Sequence, residues 1–558
     1  MKHILLLLLL SAAAAVGTLT LSAQRSTPAA PRKPFTVVEA TIADMRTAME
    51  QRRVTSRQIV TEYLTRIGMY EDKLHAAITV NREALKEADE RDRERAAGRV
   101  RGPLHGIPVA LKDNMLTTHL PTSGGALVFE GFVPPYEATL TTNLRAAGAI
   151  IIAKTGMTEL ANWVTVGMPG NYNAVGGYGM NPYDPRRDPR AGSGDGRPVL
   201  SPGGSSSGIG TSANLWAANV GSETSGSILT PANATMLAAV KPTVGRISRY
   251  GVIPITADQD TAGPMAKTVM DAAIMLGVLE SAAPDPNDPA TSACTPPPGR
   301  DYTRLLKIDG LKGARIGIPR TNYYNRLGPE PARLVADALA ILTRQGAVIV
   351  DPAEVPSVID PDPKNNFLSW GACSGAQTRG KDQDCSVVLK YGMKRDFNKW
   401  LASLGPAAPV KTLAELIAWN TAHKDAGAIK YGQTLLEISD EMDVERDRAR
   451  YESDRAKDIA LSATHGIDEV MKAKELDALL FPSSSGAALA AKAGYPSVIV
   501  PLGLIPPSAA SFPPGFDPKP QPYGLTFTGM KCSEPRLLEL AYAFEQATKR
   551  RVPPPSAP

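Results

Sequence analysis

The chain has 558 residues, of which 43% are hydrophobic, 21% are charged and 6% are aromatic. This is the composition of a globular protein that can bury a sizeable core. The formal net charge of +5 arises from 61 basic and 56 acidic residues. That balance argues against nucleic acid as the partner. Length alone predicts roughly three or four domains.

The first 23 residues have the pattern of a signal peptide. Lys2 precedes an apolar run, and small residues then lead to a cleavage point after Ala23. We therefore expect an exported protein, secreted or periplasmic, whose mature chain begins at Gln24. The alternative is an uncleaved membrane anchor, because weakly apolar residues continue to Ala23, about enough to span a bilayer. Residues 24–34 are polar and Pro-rich and are interpreted as a linker.

Four cysteines are an even number, which permits disulfides in an exported chain. Cys373 and Cys385 are close in sequence and make the expected pair, while free buried thiols are the alternative interpretation. No C-x-x-C spacing occurs and the histidines beyond the leader are scattered. The sequence therefore predicts neither a metal site nor a cofactor.

Helix and strand patterns alternate along the chain. Thr55 and Gln58 form a capping-box pattern before an amphipathic run. Ile78–Val80 and Ala149–Ala153 are short runs that favour buried strands, and Arg82–Ala97 between them favours a helix. This alternation predicts an α/β fold in which a sheet packs between helices.

Three segments are irregular in composition. Twelve glycines lie between Gly167 and Gly210, where a long helix is excluded and a functional or disordered segment is expected. Ala283–Arg300 contains six prolines and is interpreted as a surface loop or linker. The Pro-rich tail, residues 552–558, is expected to fray.

Two hydroxyl-rich, glycine-rich loops are the strongest sign of chemistry. They span Ser201–Gly208 and Gly221–Ile228, and the apolar stretch Ile209–Val220 between them is predicted to be a buried helix. A serine nucleophile needs a base and donors for an oxyanion. Because no histidine is a credible base, the base must be a lysine or a carboxylate. Lys112 at the end of an apolar run is the candidate, since burial lowers the pKa of a lysine. Flexible turns and an ordinary edge-strand lysine are the alternative interpretation.

Several ordered blocks resemble the amidase signature family, from about Thr36 to Arg551. The blocks are Leu104–Pro108 with Lys112–Asn114, Gly148–Leu160, Pro202–Ser227, Lys241–Arg246, Asp260–Met265 and Gly494–Pro496. The resemblance implies one α/β/α amidase domain over residues 35–551, with a mixed, twisted central sheet flanked by helices. The domain estimate from length alone conflicts with this.

The resemblance also implies a Ser–Ser–Lys catalytic group. Ser227 matches the nucleophile and Lys112 the base. Ser205 matches the bridging serine, whose preceding peptide bond is cis in the family. The oxyanion hole corresponds to the backbone N–H groups of Thr224, Ser225, Gly226 and Ser227. We expect Ser206 and Ser207 to hold their loop, and Asp113, Asn114 and Glu223 to be structural. Tyr250 and Trp163 are expected to pack in the core, with the lining of a pocket as the alternative.

Two departures from the family pattern refine the expectation. Ser205 and Ser227 are 22 positions apart (227 − 205), about two fewer than is usual, so we expect a shortened helix between them, a change of roughly 200° of rotation. Ser225 and the pair Leu229–Thr230 differ from the glutaminase chains of amidotransferases, which commonly carry Gly and Arg-Gln there. The pattern is more similar to stand-alone amidases of the peptide amidase type.

The sequence therefore predicts a secreted serine amidase. Its partner is expected to be a small-molecule or peptide amide, such as a peptide C-terminal amide, with no nucleic acid and no membrane unless the leader stays uncleaved. A pocket built largely from the variable segment 361–435 is expected to select the substrate. Two alternatives stay open: the glutaminase component of a tRNA-dependent amidotransferase, and a non-catalytic binding protein on the same scaffold.

Overall fold

A mixed sheet of eleven strands runs through the part of the chain that the structure describes. The structure is a computed structural model and describes residues 35–374, 382–507 and 511–558. The predicted signal peptide and linker lie outside the described residues. Residues 36–558 form one unit, so the estimate of several domains from length was wrong. Beside the sheet, a separate cluster of buried side chains includes Trp163, Phe397, Trp400 and Leu436.

The strand order in this sheet is β1-β3-β2-β6-β8-β7-β12-β13-β11-β9-β10, and β4 pairs with β5 in a separate two-stranded sheet. The strands are β1 Ala77–Val80, β2 Pro108–Lys112, β3 Ile150–Thr155, β4 Tyr172–Asn173, β5 Gly177–Tyr178, β6 Ala218–Glu223, β7 Ala238–Lys241, β8 Thr261–Ala266, β9 Arg315–Gly317, β10 Val348–Val350, β11 Ala478–Pro482, β12 Ser497–Ile505 and β13 Gln521–Thr528.

Helices flank the sheet, which confirms the predicted α/β class. They are α1 Ile42–Glu50, α2 Ser56–Leu74, α3 Ala84–Ala96, α4 Thr139–Ala146, α5 Ile209–Ser212, α6 Leu229–Ala234, α7 Val269–Leu279, α8 Pro329–Arg344, α9 Pro356–Ile359, α10 Val388–Gly392, α11 Asn398–Ser403, α12 Leu413–Ala422, α13 Thr434–Asp440, α14 Arg448–Ile459, α15 Asp468–Ala473, α16 Ala487–Ala493 and α17 Glu534–Thr548. None of the helices within the described ranges is long and apolar enough to cross a membrane.

Local signals in the sequence place several of these elements correctly. Thr55 caps α2, and the reciprocal contact with Gln58 completes the predicted capping box. The stretch Ile209–Val220 was predicted wrongly as one helix. Only α5 is helical there, and the chain joins the sheet from Ala218 onward. A short apolar run suits a buried strand as well as a buried helix, so its pattern alone did not separate the two.

Both cysteine pairs are disulfides. The expected bond joins Cys373 to Cys385, and a second, unpredicted bond joins Cys294 to Cys532 across 238 positions. The second bond ties the Pro-rich segment Ala283–Arg300 to the residues just before α17. A pair so far apart in sequence gives no local signal.

The Pro-rich tail is held in place, so the expectation that it frays was wrong. The Arg66 guanidinium donates to the carbonyls of Ala557 and Pro558, each at 2.9 Å. Ala557 is buried and the Ser556 hydroxyl donates to the carbonyl of Pro182. The buried Arg66 side chain thus forms hydrogen bonds with backbone oxygens of the tail, which would bond to water if the tail were frayed.

Candidate active site

Three neighbouring parallel strands place the candidate residues at one edge of the sheet. β2 lies between β3 and β6 and is parallel to both, with Leu111 opposite Val220. The carboxyl ends of parallel strands meet on the same side of a sheet, where ligands commonly bind. Lys112 closes β2, and Ser222 and Glu223 close β6. The fold therefore brings Lys112 beside the loop that carries Ser227.

The amine of Lys112 is completely buried among hydroxyl and carbonyl groups. Its Nζ lies 3.1 Å from Ser205 Oγ, 3.0 Å from Ser222 Oγ and 3.2 Å from Ser222 O. Burial lowers the pKa of Lys112 to about 7, against the opposing pull of the Asp260 and Glu223 carboxylates. A substantial fraction of Lys112 is therefore a neutral amine at neutral pH and can accept a proton.

The Ser205 and Ser227 loops lie against each other. The N–H of Ser206 donates to the carbonyl of Ser227 at 3.1 Å, and a Cβ added to Gly204 would lie 3.3 Å from Ser227 Cα. The hydroxyls of Ser205 and Ser227, both within the described ranges, do not hydrogen-bond to each other. Lys112 thus contacts the Ser205 side chain directly, whereas Ser227 is held next to the Ser205 loop by a hydrogen bond between the two backbones.

The peptide bond before Ser205 differs from what the resemblance implied. Asp351–Pro352 is the single cis peptide bond among the described residues, so the Gly204–Ser205 bond is trans. Trans is the ordinary form for a bond that does not precede proline.

The turn after β6 presents backbone donors. Glu223 Oε2 accepts the N–H groups of Ile228 at 2.7 Å and Leu229 at 3.0 Å, and Gly226 adopts a left-handed φ of +83°. Four turn residues lie between Glu223 and Ile228, and their backbone N–H groups have no hydrogen-bond acceptor in the described part of the chain. These residues are Thr224, Ser225, Gly226 and Ser227. Convergent, unpaired N–H groups can stabilise an oxyanion.

Asp260 fixes the first residue of this turn. Its Oδ1 accepts the Thr224 hydroxyl at 2.6 Å, while Oδ2 accepts the N–H groups of Ile255 at 2.9 Å and Thr256 at 3.0 Å. Burial raises the pKa of Asp260 to about 7. Sequence reasoning assigned Asp260 no role beyond its place in a family block, because its partner Thr224 is distant along the chain.

A cavity of about 500 Å³ opens beside the turn. Ser222 and Thr224 line it on one side. Its apolar wall is formed by Val252, Ile253, Ile255, Trp400 and the stacked pair Tyr136–Tyr250, whose ring centroids are 5.0 Å apart. The expectation for Tyr250 was therefore wrong. Trp163 lies in the core as expected and donates to Ser439 Oγ at 3.0 Å.

Charged side chains on the cavity wall are largely paired within the protein. The Arg249 guanidinium contacts both oxygens of Asp288, and Asp396 receives two hydrogen bonds from Arg395. Asn287–Ala290, from the Pro-rich segment, complete one side, and segment 361–435 contributes Asp396, Lys399, Trp400 and Ser403. The variable segment thus reaches the cavity but supplies only these four lining residues, so the expectation that it builds most of the pocket was wrong. The role of the Pro-rich segment was missed.

The remaining predicted residues have mainly structural contacts. Asp113 pairs with Lys154 at 3.1 Å. Ser206 Oγ donates to the carbonyl of Ser222 at 2.9 Å and so ties the two loops together, as expected. Asn114 Nδ2 donates to Ser222 Oγ at 3.0 Å, next to the Lys112 amine. Ser222 itself was missed, since one serine in a hydroxyl-rich loop has no distinguishing signal.

The described residues contain no group of three or more His, Cys, Asp or Glu side chains that could hold a metal ion.

Comparison with known proteins identifies the family. The family model named Amidase matches residues 58–538. A protein named "Probable amidase" from Arabidopsis thaliana is 33% identical over 93% of this chain and 92% of its own length. The glutamyl-tRNA(Gln) amidotransferase chain from Thermosynechococcus vestitus is 30% identical over 91% of this chain and 98% of its own. The crystal structure of native peptide amidase from Stenotrophomonas maltophilia is similar with a TM-score of 0.78 and 37% identity, covering 93% of this chain and 99% of that one. The chain belongs to the amidase family and is an amide-hydrolysing enzyme.

Proposed function

We propose that this member of the amidase family hydrolyses amides through an acyl-enzyme on Ser227, with Ser205 as relay and Lys112 as base. The observation that carries the proposal is the buried Lys112 amine. Its pKa is lowered to about 7 and its Nζ lies 3.1 Å from Ser205 Oγ, beside the Ser227 loop. A base with a pKa near the working pH is the most effective proton acceptor.

The chemistry proceeds in two halves. Neutral Lys112 takes the proton of Ser205 while Ser205 takes that of Ser227, and Ser227 Oγ attacks the amide carbon. The N–H groups of residues 224–227 stabilise the oxyanion. As the C–N bond breaks, the proton returns through Ser205 to the departing nitrogen, which leaves as ammonia or an amine. Water then attacks the ester on Ser227 by the same route, releasing a carboxylic acid and regenerating the serine.

Covalent labelling tests this assignment. A fluorophosphonate should modify Ser227, located by mass spectrometry of the digested protein, and Ser227→Ala should lose both label and activity. Ser206→Ala serves as the matched control, because Ser206 lies in the neighbouring loop and its hydroxyl holds the backbone. A label found on Ser205 instead of Ser227 would overturn the assignment.

For the substrate we propose an uncharged, partly apolar carboxamide such as a peptide C-terminal amide. Ile253, Ile255, Trp400 and the Tyr136–Tyr250 stack give the cavity an apolar wall, and Arg249 is already paired with Asp288. Such a wall favours an apolar acyl group over a charged one. Similarity to the peptide amidase from Stenotrophomonas maltophilia agrees with this choice.

Similarity to the glutamyl-tRNA(Gln) amidotransferase chain supports a second candidate, a glutaminase. A single comparison of kcat/KM distinguishes the two proposed functions. The substrates are an N-blocked peptide amide, an alkyl or aryl amide, and free glutamine. A site that pairs with a charged amino acid discriminates strongly in its favour. We expect the peptide amide to be preferred, and a preference for glutamine by about tenfold or more would replace the first candidate with the second.

We also propose that the protein is exported. The leader-type pattern of residues 1–23 supports export, as do the two disulfides in the described part of the chain. Structural disulfides persist in oxidising compartments and are rare in the cytosol.

A further inference from the structure

The glycine-rich segment between β3 and α5 contributes one side chain to the surroundings of Ser205. Asn171 is 1% exposed. Its Nδ2 donates to the carbonyl of Gly204 at 2.7 Å and to that of Ser206 at 3.3 Å. These two carbonyls belong to the residues on either side of Ser205. One amide group therefore bridges the backbone around the serine that contacts Lys112.

A second contact holds the carbonyl between them. The N–H of Thr158 donates to Ser205 O at 3.2 Å, and Thr158 Oγ1 in turn accepts the N–H of Asn171 at 2.7 Å. Three successive carbonyls, those of residues 204, 205 and 206, are thus held by Asn171 and Thr158 together. We define these two residues as the Ser205 clamp.

The chain is shaped so that this clamp can reach the loop. A Cβ added to Gly170 would lie 2.0 Å from the carbonyl oxygen of Gly203, so only glycine permits the close approach. Asn171 has a left-handed φ of +61°, which asparagine tolerates better than most residues. Its amide supplies two N–H donors, matching the two carbonyls.

We propose that Asn171 is a positioning residue that holds Ser205 in line for proton transfer with Lys112. This inference depends on the proposed relay. The Ser205 loop begins with Gly203 and Gly204 and consists of small residues, so its own sequence does not fix its position. Misplacement of a reacting group by about 1 Å can cost about a hundredfold in rate. The two residues of the Ser205 clamp lie outside the loop, and their hydrogen bonds hold the loop backbone in position.

Two substitutions at Asn171 separate hydrogen bonding from volume and strain. Asn171→Asp keeps the shape but directs a carboxylate oxygen at two carbonyls, removing both donors. Asn171→Gly removes the side chain without straining the left-handed backbone. Asn366→Asp is the control, because Asn366 Nδ2 also bridges two carbonyls, those of Val358 and Asp360, which lie outside both serine loops.

The measurements are kcat and KM for an amide and for an ester of the same acyl group, together with the thermal midpoint. The relay must protonate an amine leaving group, whereas an alcohol leaves with far less assistance. We expect Asn171→Asp to lower kcat on the amide by about tenfold or more with KM unchanged, and to lower the amide-to-ester ratio of kcat/KM. Asn171→Gly should fall between wild type and Asn171→Asp, and Asn366→Asp should leave the ratio unchanged.

Two results would overturn the inference: wild-type kcat in Asn171→Asp, or an amide-to-ester ratio that stays constant while both activities fall with the thermal midpoint. Should Asn171→Asp fail to fold, the ratio measured on Asn171→Gly decides. Ser205→Ala is measured alongside. If that variant kept full amidase activity, the relay itself would fail, and this outcome is distinct from a failure of the clamp.

Discussion

Replacing Lys112 with methionine should abolish amidase activity and at the same time stabilise the folded protein. The side chain is completely buried, and its pKa falls from 10.5 to about 7 because water is excluded. Each pKa unit corresponds to about 1.4 kcal/mol. Charging Lys112 inside the folded protein therefore costs on the order of 5 kcal/mol relative to the unfolded chain. Methionine has a similar length and carries no charge to desolvate.

The sign of the effect follows from proton linkage. Below about pH 7 Lys112 is charged in both states, so the folded state bears the whole cost. Between about pH 7 and 10.5 Lys112 binds more protons in the unfolded chain than in the folded one, so the contribution of Lys112 to the stability of the wild-type protein rises with pH through this window. The advantage of Lys112→Met over wild type should thus shrink by roughly 3 kcal/mol between pH 6 and pH 9.

The assay is urea unfolding of wild type and Lys112→Met at both pH values. Because only the difference between two proteins at the same pH is used, buried groups that do not interact with Lys112, such as Lys267 and Asp271, largely cancel. Lys390→Met provides a control for a buried lysine outside the site. A stability difference between wild type and Lys112→Met that is equal at pH 6 and pH 9 would show that Lys112 does not change protonation in this range, and would refute the neutral-base argument.

Three other outcomes are expected. The kcat/KM of the wild-type enzyme for a neutral amide should rise through about pH 7, because Lys112 loses its proton there. A kcat/KM that falls between pH 6 and pH 8 would contradict the assignment of Lys112 as the base. Replacing both Cys294 and Cys532 by serine should lower the free energy of unfolding by about 2–5 kcal/mol, because the bond closes a long loop in the unfolded chain; an unchanged unfolding midpoint would contradict this. N-terminal sequencing of exported material should begin near Gln24, whereas an intact Met1 on membrane-bound protein would favour the anchor.

The sequence was most informative where the pattern is local or where ordered blocks resemble a family. The apolar run that ends at Lys112 is a buried strand, and the hydroxyl-rich loops do meet beside it. The capping box at Thr55 and the buried strand β3 follow from patterns a few residues long. Strand order, by contrast, depends on contacts between distant segments, and no periodicity encodes it.

The surroundings of the site were harder to predict for the same reason. Tyr250 was assigned to the core, yet it stacks on Tyr136 at the cavity. Asp260 and Ser222 acquire their importance only from partners on other strands and loops. The end of the glycine-rich segment was predicted to carry Ser205, but neither Asn171 earlier in that segment nor the Pro-rich segment was predicted to reach the site. Both contributions, Asn171 and Asn287–Ala290, depend on where the chain returns to the sheet.

The segment between the two serine loops is compact ahead of strand β6. Strand β6 is held by pairing with β2 and β8. Helix α5 before it is a single turn, followed by Asn214 with a left-handed φ of +56°. The Trp216 ring covers Gly210 so closely that a Cβ there would lie 2.0 Å from it, and Trp216 Nε1 donates to Thr211 Oγ1 at 2.9 Å. The segment between the loops thus closes on itself before the chain enters β6, which leads towards the Lys112–Ser205 contact at the strand ends.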